Sequence, residues 1–420
     1  VAVPAWVEEC ERITAEQDCW RLTRTVNLIA SENVMSVRAR RLLASDFNHR
    51  YAEGHPGRRY YRGTRHIDVI EERAAGLMRE LFGCARADVR AISGTVANEA
   101  AIRACVGPED AVIVNPTAVG GHISHQEIGA VGKFTRRIEA FARGADGFSI
   151  DAAAARDQIA RLRPKLIILG KSLILFPEPV GELADVCREV GAVMIYDGAH
   201  VLGLIAGGQF QDPLREGADL LLGSTHKTFF GPQRGVVLGN WPEERWKRVD
   251  KAVFPGGTSN HHLATLPPLL ISALEMKAFG RAYAAQVVAN ARALAAALAR
   301  AGVAVVCPER GYTQSHQVVI DVRAQGGGAA VSERLEQNDV IANMNMLPGD
   351  TKALHPSGIR LGVQEATRWG MKEEEMGALA DLMAASILRS QDVRREVERL
   401  RARFTTVQYS FDDACPDTNR

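Results

Sequence analysis

The chain lacks the features that mark several large classes of protein. Its seven cysteines (Cys10, Cys19, Cys84, Cys105, Cys187, Cys307 and Cys415) are odd in number and scattered, and none forms a CxxC pair. That pattern argues against a disulfide framework or a metal site. It fits reduced, mostly buried thiols in a cytoplasmic protein. An excess of one charge sign is missing too, since the formal net charge is +1. No extended electrostatic footprint for nucleic acid is therefore expected. No apolar run is long enough to span a bilayer, so no membrane association is expected either. Residues 1–18 carry acids and no apolar core, which does not read as a secretory leader. There is no internal repeat.

What remains is an ordinary globular balance, 46% hydrophobic and 24% charged, over a length of 420 residues that suits two domains. Residues 4–20 read as a helix leading to an apolar turn, Leu28-Ile29-Ala30. From about 67 to 260, helical and strand-like segments alternate. The stretch 67–82 is amphipathic. Short apolar runs at 111–114, 166–169, 193–196, 220–222 and 235–238 read as strands. Strands spaced by helices imply an α/β fold with a mainly parallel sheet. An Ala- and Leu-rich helix spans about 265–300. Beyond it, 303–306 and 317–322 read as strands of a smaller sheet, and 326–328 as a turn. Helices are expected at about 329–337 and 373–404, and a loose polar tail at 412–420.

Two of the apolar runs end in residues able to do chemistry. Val193-Met194-Ile195-Tyr196 closes on Asp197, with His200 three residues on. Leu220-Leu221-Leu222 leads into Gly223-Ser224-Thr225-His226-Lys227-Thr228. Ligands gather at the carboxyl ends of strands in open α/β sheets. A lone strand-end Asp is often a cap, and a lone Lys is usually a solvated charge. Together they fit pyridoxal phosphate, whose aldehyde needs an amine and whose pyridine nitrogen needs a carboxylate.

Other segments agree. Ser93-Gly94-Thr95 precedes a plausible helix, whose N-terminus would offer free N–H groups and a favourable dipole to a phosphate. Gly120-Gly121-His122 would let a ligand approach closely and stack on the imidazole. A metal reading of His122 and His125 is weaker, because no third ligand has a sensible spacing. Arg360, in Ser357-Gly358-Ile359-Arg360-Leu361-Gly362, suits bidentate capture of a carboxylate. The loop from Tyr51 to Tyr61 mixes glycines, a proline, aromatics and one acid. It supplies Glu53 and Tyr61 as acid–base candidates.

Taken with the Leu28-Ile29-Ala30-Ser31-Glu32-Asn33 run, these segments resemble the serine hydroxymethyltransferase family over nearly the whole chain. The resemblance implies the aspartate-aminotransferase-like fold (fold type I). A large domain would carry a mainly parallel seven-stranded sheet, and a smaller C-terminal α/β domain would follow. The expected divisions are an arm helix at 1–25, a cofactor-binding domain at 26–270, and a small domain at 271–420 that includes a linking helix. The resemblance also implies roles. Lys227 forms the internal aldimine, Asp197 pairs with the pyridinium nitrogen and His122 stacks on the ring. His200 and Ser172 lie near the phenolic oxygen. Ser93, Gly94, Thr95 and His226 hold the phosphate. Arg360 and Ser31 take the substrate carboxylate. Tyr51, Glu53 and Tyr61 come from the other subunit of a homodimer with shared active sites. The implied chemistry acts at Cα or Cβ of an amino acid through an external aldimine and quinonoid.

The chain also departs from the family pattern, mostly on the folate side. Thr117 and Val119 replace a leucine and a histidine, and Gln126-Glu127-Ile128 follows His125. Leu173-Ile174-Leu175 replaces a small polar run, Gln233 follows Pro232, and Ser259-Asn260 stands where a glycine pair is usual. Arg62 follows Tyr60-Tyr61, and the stretch 347–356 is also unlike the family's. This pattern points to a relative in specialised, antibiotic-type biosynthesis, such as a threonine-type transaldol enzyme or one that processes an S-conjugated cysteine. The alternative is a folate-dependent serine or α-methylserine hydroxymethyltransferase. Loss of Lys227 would have marked a member used only for binding, and Lys227 is present.

Overall fold

The computed structural model describes residues 3–352 and 354–412. Cys415 and positions 413–420 of the expected tail lie outside the described residues. Of the six described cysteines, four are buried and Cys10 and Cys19 are exposed.

A seven-stranded sheet forms the centre. Its spatial order is Arg86–Asp88, Gly235–Gly239, Leu220–Ser224, Val193–Asp197, Leu166–Leu169, Val112–Val114 and Ile138–Ala140. Only Gly235–Gly239 runs antiparallel to its neighbours. The inner strands are buried along their whole length, as their unbroken apolar runs require. Alternate residues feed two cores. Ile167, Leu169, Met194, Tyr196 and Leu221 face one, while Leu166, Ile168, Val193, Ile195 and Leu220 face the other. Arg86–Asp88 and Ile138–Ala140, at the two edges, were not legible as strands because each is three residues long and carries charge.

A second sheet, antiparallel throughout, has the order Ala304–Val305, Gln317–Asp321, Gly358–Gly362 and Asn343–Asn345. The helix Leu266–Arg300 runs between the two sheets' helical covers and packs on Arg65–Phe82 and Glu373–Arg389. Ala5–Cys19 buries none of its residues, and Trp6 is 76% exposed.

Two local expectations change. The single helix expected over 373–404 is two, Glu373–Arg389 and Arg394–Arg401. Ser390 turns left-handed at φ 53°, and the buried Asn338 side chain accepts the Val393 N–H at 2.6 Å, taking the place of a helical carbonyl. The expected turn at 326–328 is already helical from Gly327 onward.

The C-terminal end of the fold is fastened by a buried ion pair. Arg368 donates to Glu275 Oε2 at 2.7 Å, and both side chains are fully buried. Arg368 also donates to the carbonyls of Gln408 and Tyr409, and its guanidinium lies 3.7 Å over the Phe230 ring. Removing one partner leaves an uncompensated buried charge, which costs about 3–5 kcal/mol. Glu275→Ala should therefore lower the denaturant midpoint sharply, whereas the double variant Glu275→Leu/Arg368→Met should recover much of the loss.

Candidate active site

The carboxyl ends of the strands deliver their chemistry to one cavity of about 260 Å³. Asp197 ends its strand there. Ser224 ends the next one, and the turn after it presents His226 and Lys227. Ser93, Gly94 and Thr95 line the cavity at the start of the helix Gly94–Cys105. Ser93 caps that helix by accepting from Val96 N. The first-turn N–H groups of Gly94 and Thr95 have no intrahelical partner and are free for an anion. A side chain at Gly94 would meet Ser224 Oγ at 2.2 Å, so glycine lets helix and strand close here with the serine hydroxyl in place. His122 and Ser172 complete this wall.

The cavity holds an ionised carboxylate against its own burial. Burial alone would raise the pKa of Asp197. Hydrogen bonds from His125 Nε2 at 3.0 Å and from Asn98 Nδ2 at 2.8 Å outweigh it. They hold the carboxyl well below its ordinary range. The network continues outward. Asn98 Nδ2 donates to Ser124 Oγ, which donates to His122 Nδ1 at 2.7 Å. Burial lowers the His122 pKa to about 4, so its ring is neutral.

Lys227 is 9% exposed. Burial lowers its pKa to about 8, with Asp197 opposing and Arg360 adding to the shift. Asn33 Nδ2 fixes the Lys227 carbonyl at 2.6 Å. His226 falls to about 4 through burial and the charge of Lys227. His200 lies well below its ordinary value through burial and the charges of Lys227 and Arg360.

Arg360 stands on the second sheet and reaches across to the first. Its Nη1 donates to the Ser172 carbonyl at 2.7 Å and its Nη2 to Asn343 Oδ1 at 3.3 Å. Its buried Nε has no acceptor, and among the described residues no carboxylate pairs with it. Ser31 is held near the same strand. Gln364 Nε2 donates to the carbonyls of Ile29 and Glu32, and Gly362 N donates to Leu28 O.

Tyr51, Glu53 and Tyr61 are not brought to the cavity within one chain. Tyr51 and Tyr61 are 51% and 42% exposed and line a separate surface cleft with His49 and Arg62. Asn260 grips this loop, accepting from Ala52 N at 3.3 Å and donating to Arg50 O at 2.8 Å. Gln233 lines the Lys227 cavity, while Arg234 turns inward. Arg234 is fully buried, donating to Val89 O, Thr265 Oγ1 and the carbonyls of His261 and His262.

Sequence reasoning did not assign Asn98, Asn33 or Lys171 to the site, and it weighed His125 only as a metal ligand. Lys171 lines the cavity and pairs with buried Glu178 at 2.9 Å. His125, three residues after His122, and Asn33, inside the Ser31-Glu32-Asn33 run, offered a signal. Asn98 and Lys171 offered none.

The residues fit pyridoxal phosphate. Asp197 remains a carboxylate for a protonated ring nitrogen, and Lys227 has free amine available near pH 8. Asn98 Oδ1 and His226 Nδ1 are buried without partners at the same place.

Known proteins with this sequence and shape are consistent in kind. A family model described as serine hydroxymethyltransferase matches residues 7–383. Proteins named serine hydroxymethyltransferase from Archaeoglobus fulgidus and Thermoplasma acidophilum are each 48% identical to this chain. The matches cover 93% and 92% of it, and 90% and 92% of those proteins. One from Sulfolobus acidocaldarius is 46% identical over 97% of this chain and 95% of its own. The L-threonine transaldolase of Pseudomonas fluorescens, solved in its internal aldimine state, has a TM-score of 0.89 at 28% identity. That match covers 98% of this chain and 95% of the other.

The depressed pKa of Lys227 has a signed consequence for the cofactor-free protein. Its folded value, about 8, lies below the ordinary 10.5, so between those pH values the unfolded chain binds more protons. The cost of burying the ammonium, about 3 kcal/mol, is full below pH 8 and relieved by pH 10.5. Cofactor-free Lys227→Met should be more stable than the parent at pH 7, and the advantage should close on approaching pH 10.5. Urea midpoints measured at both pH values check this.

Proposed function

The chain belongs to the serine hydroxymethyltransferase family, and on that premise we propose that it moves the hydroxymethyl carbon of serine to a tetrahydrofolate-type carrier, leaving glycine. It is a pyridoxal-phosphate-dependent enzyme acting at Cα and Cβ of an amino acid. When bound, the cofactor supplies an aldehyde and an electron sink that lets a bond at Cα break.

The observation that carries the proposal is Arg360. A buried guanidinium with no carboxylate partner among the described residues is costly unless a ligand supplies the anion. The carboxylate of an amino acid does so, and Ser31 adds a hydroxyl. That anchor directs the amino group toward Lys227 and Asp197. Lys227 would carry the cofactor, Asp197 would hold its ring nitrogen, and Ser93, Gly94, Thr95 and His226 would hold its phosphate. His122, neutral, would lie against the ring, with Ser172 and His200 near its phenolic oxygen. Leu173, Leu175 and Phe176, buried together behind Ser172, keep water from that wall.

Glu53 would take or return the proton of the side-chain hydroxyl, with Tyr51 and Tyr61 beside it. A second copy of the chain would deliver all three. The exposed tyrosines and the uncovered helix Ala5–Cys19 support a homodimer with shared sites.

The relatives' names favour hydroxymethyl transfer over a specialised pathway. A second reading, transaldol exchange with another aldehyde, is supported by the threonine transaldolase neighbour and by the apolar Leu173-Ile174-Leu175 run. The absorbance spectrum of the loaded enzyme with glycine, before and after tetrahydrofolate, separates the two. A long-wavelength band that folate strongly enhances supports the proposal. No response to folate, with acetaldehyde released and a β-hydroxy-β-aryl amino acid formed from threonine plus an aromatic aldehyde, supports the second reading.

Lys227→Ala should abolish turnover while leaving the circular dichroism spectrum unchanged. Arg360→Ala should raise the KM for serine about 10- to 100-fold, the worth of hydrogen bonds to a charged group. An unchanged KM would place the carboxylate elsewhere.

A further inference from the structure

Gln317 ties three parts of the Lys227 cavity together, although nothing in the sequence marks it. It is the first residue of the strand Gln317–Asp321 and is fully buried. Its amide has one orientation. Oε1 accepts the Ile174 backbone N–H at 2.9 Å, and a backbone N–H can only donate, so the oxygen lies on that side. Nε2 therefore faces the Ser172 carbonyl at 2.9 Å and His200 Nδ1 at 3.1 Å.

A third neighbour, His316 Nε2 at 3.3 Å, is not a competing acceptor. It lies 3.2 Å from the Ala30 carbonyl, which can only accept, so it carries its own hydrogen. The two amide hydrogens are thus assigned, one to Ser172 O and one to His200 Nδ1. His200 Nδ1 must hold a lone pair, and a neutral imidazole of that kind carries its proton on Nε2. The other tautomer would set two N–H groups against each other in a buried place, at the cost of an unmade hydrogen bond.

We propose that Gln317 is a positioning residue that holds His200 as the neutral Nε2–H tautomer, so that the cavity is presented with a fixed N–H donor. His200 lines the cavity, and among the described residues no protein group pairs with its Nε2. The donor suits an oxygen acceptor, either the cofactor's phenolic oxygen or a substrate carboxylate. Its surroundings keep the ring neutral. Burial disfavours a charge on the ring, and the charges of Lys227 and Arg360 add to that. The His316 ring stacks on it at 5.8 Å and 19°, with its own Nδ1 unpartnered. The backbone is held too, since Thr228 Oγ1 donates to the His200 carbonyl at 2.7 Å.

The strand that carries Gln317 pairs with the one that carries Arg360, and Ser172 O accepts from both side chains. One carbonyl therefore sets the His200 donor and the Arg360 cation in fixed relation. Ser315 Oγ, donating to Ile174 O at 2.6 Å, braces the same contact.

The test is nitrogen NMR on the cofactor-loaded protein labelled with ¹⁵N-histidine, with His200 assigned by the signals lost in His200→Asn. The expected result is a pyrrole-type signal at Nε2 and a pyridine-type signal at Nδ1. In Gln317→Glu a carboxylate accepts at Nδ1, so that nitrogen should become protonated. In Gln317→Leu, which keeps the volume without the donor, the fixed pattern should give way to averaged shifts. A protonated Nδ1 in the parent would overturn the proposal, as would the parent pattern surviving in Gln317→Leu. If Gln317→Glu does not fold, the parent and Gln317→Leu decide it.

Two additions identify the acceptor. An Nε2 signal that shifts when pyridoxal phosphate is added to cofactor-free protein points to the cofactor oxygen. A shift only on later addition of glycine points to the substrate carboxylate. An Nε2 signal that responds to neither refutes the donor role. None of these readings depends on which reaction the enzyme performs.

Discussion

The site is organised around one buried carboxylate. Asp197 sits where burial alone would neutralise it, and it stays ionised because Asn98 and His125 point hydrogen-bond donors at it. Those partners come from the helix Gly94–Cys105 and the turn Ile123–His125. Satisfying Asp197 therefore fixes the start of the helix Gly94–Cys105, His122 and the strand end relative to one another. Ser124 then passes the constraint to His122 through its hydroxyl. The low-dielectric surroundings that make the carboxylate expensive also strengthen every interaction it makes.

A second buried polar chain links the exposed tyrosine loop to the lysine turn. Arg59 donates to the carbonyls of Ala52 and Gly54 inside that loop and to Glu71. Glu71 lies 3.1 Å from His261 and is held at about 2: His261 and Arg59 outweigh burial, which would raise it. Arg234 then binds the His261 carbonyl, and its own carbonyl accepts from Thr225, two residues before Lys227. Asn260 belongs to the pair that departs from the family pattern, and His261 follows it. Here they serve as internal supports, and Asn260 brackets Tyr51 from both sides.

Much of this was legible in the sequence because the signals were local. Unbroken apolar runs marked the central strands, and the residues at their ends marked the cavity. Ser93-Gly94-Thr95 and Gly120-Gly121-His122 announced themselves by turn chemistry. What the sequence hid was long-range. Asn98 lies 99 positions from Asp197, and Gln317 lies 117 from His200. Nothing in the neighbourhood of either residue distinguishes it from an ordinary helix or strand position. The edge strands were hidden for a different reason, since an edge needs no apolar run and does better with charge. The break after Ser390 depends on Asn338 more than fifty residues earlier, so no helical periodicity could have shown it.

Lys227 is carried on a hairpin. Because Gly235–Gly239 runs back antiparallel against Leu220–Ser224, the ten positions from 225 to 234 are closed by direct strand pairing, with Gly235 opposite Ser224. Thr225 bonds twice to the Arg234 carbonyl across the base of that loop. A crossover through a helix could absorb an extra residue, whereas this connection has no slack. One added or lost position would shift the pairing or swing Lys227 off the cavity. Evolutionary variation in length should therefore be concentrated elsewhere in the chain, and gaps between Ser224 and Gly235 should be rare among catalytically competent relatives.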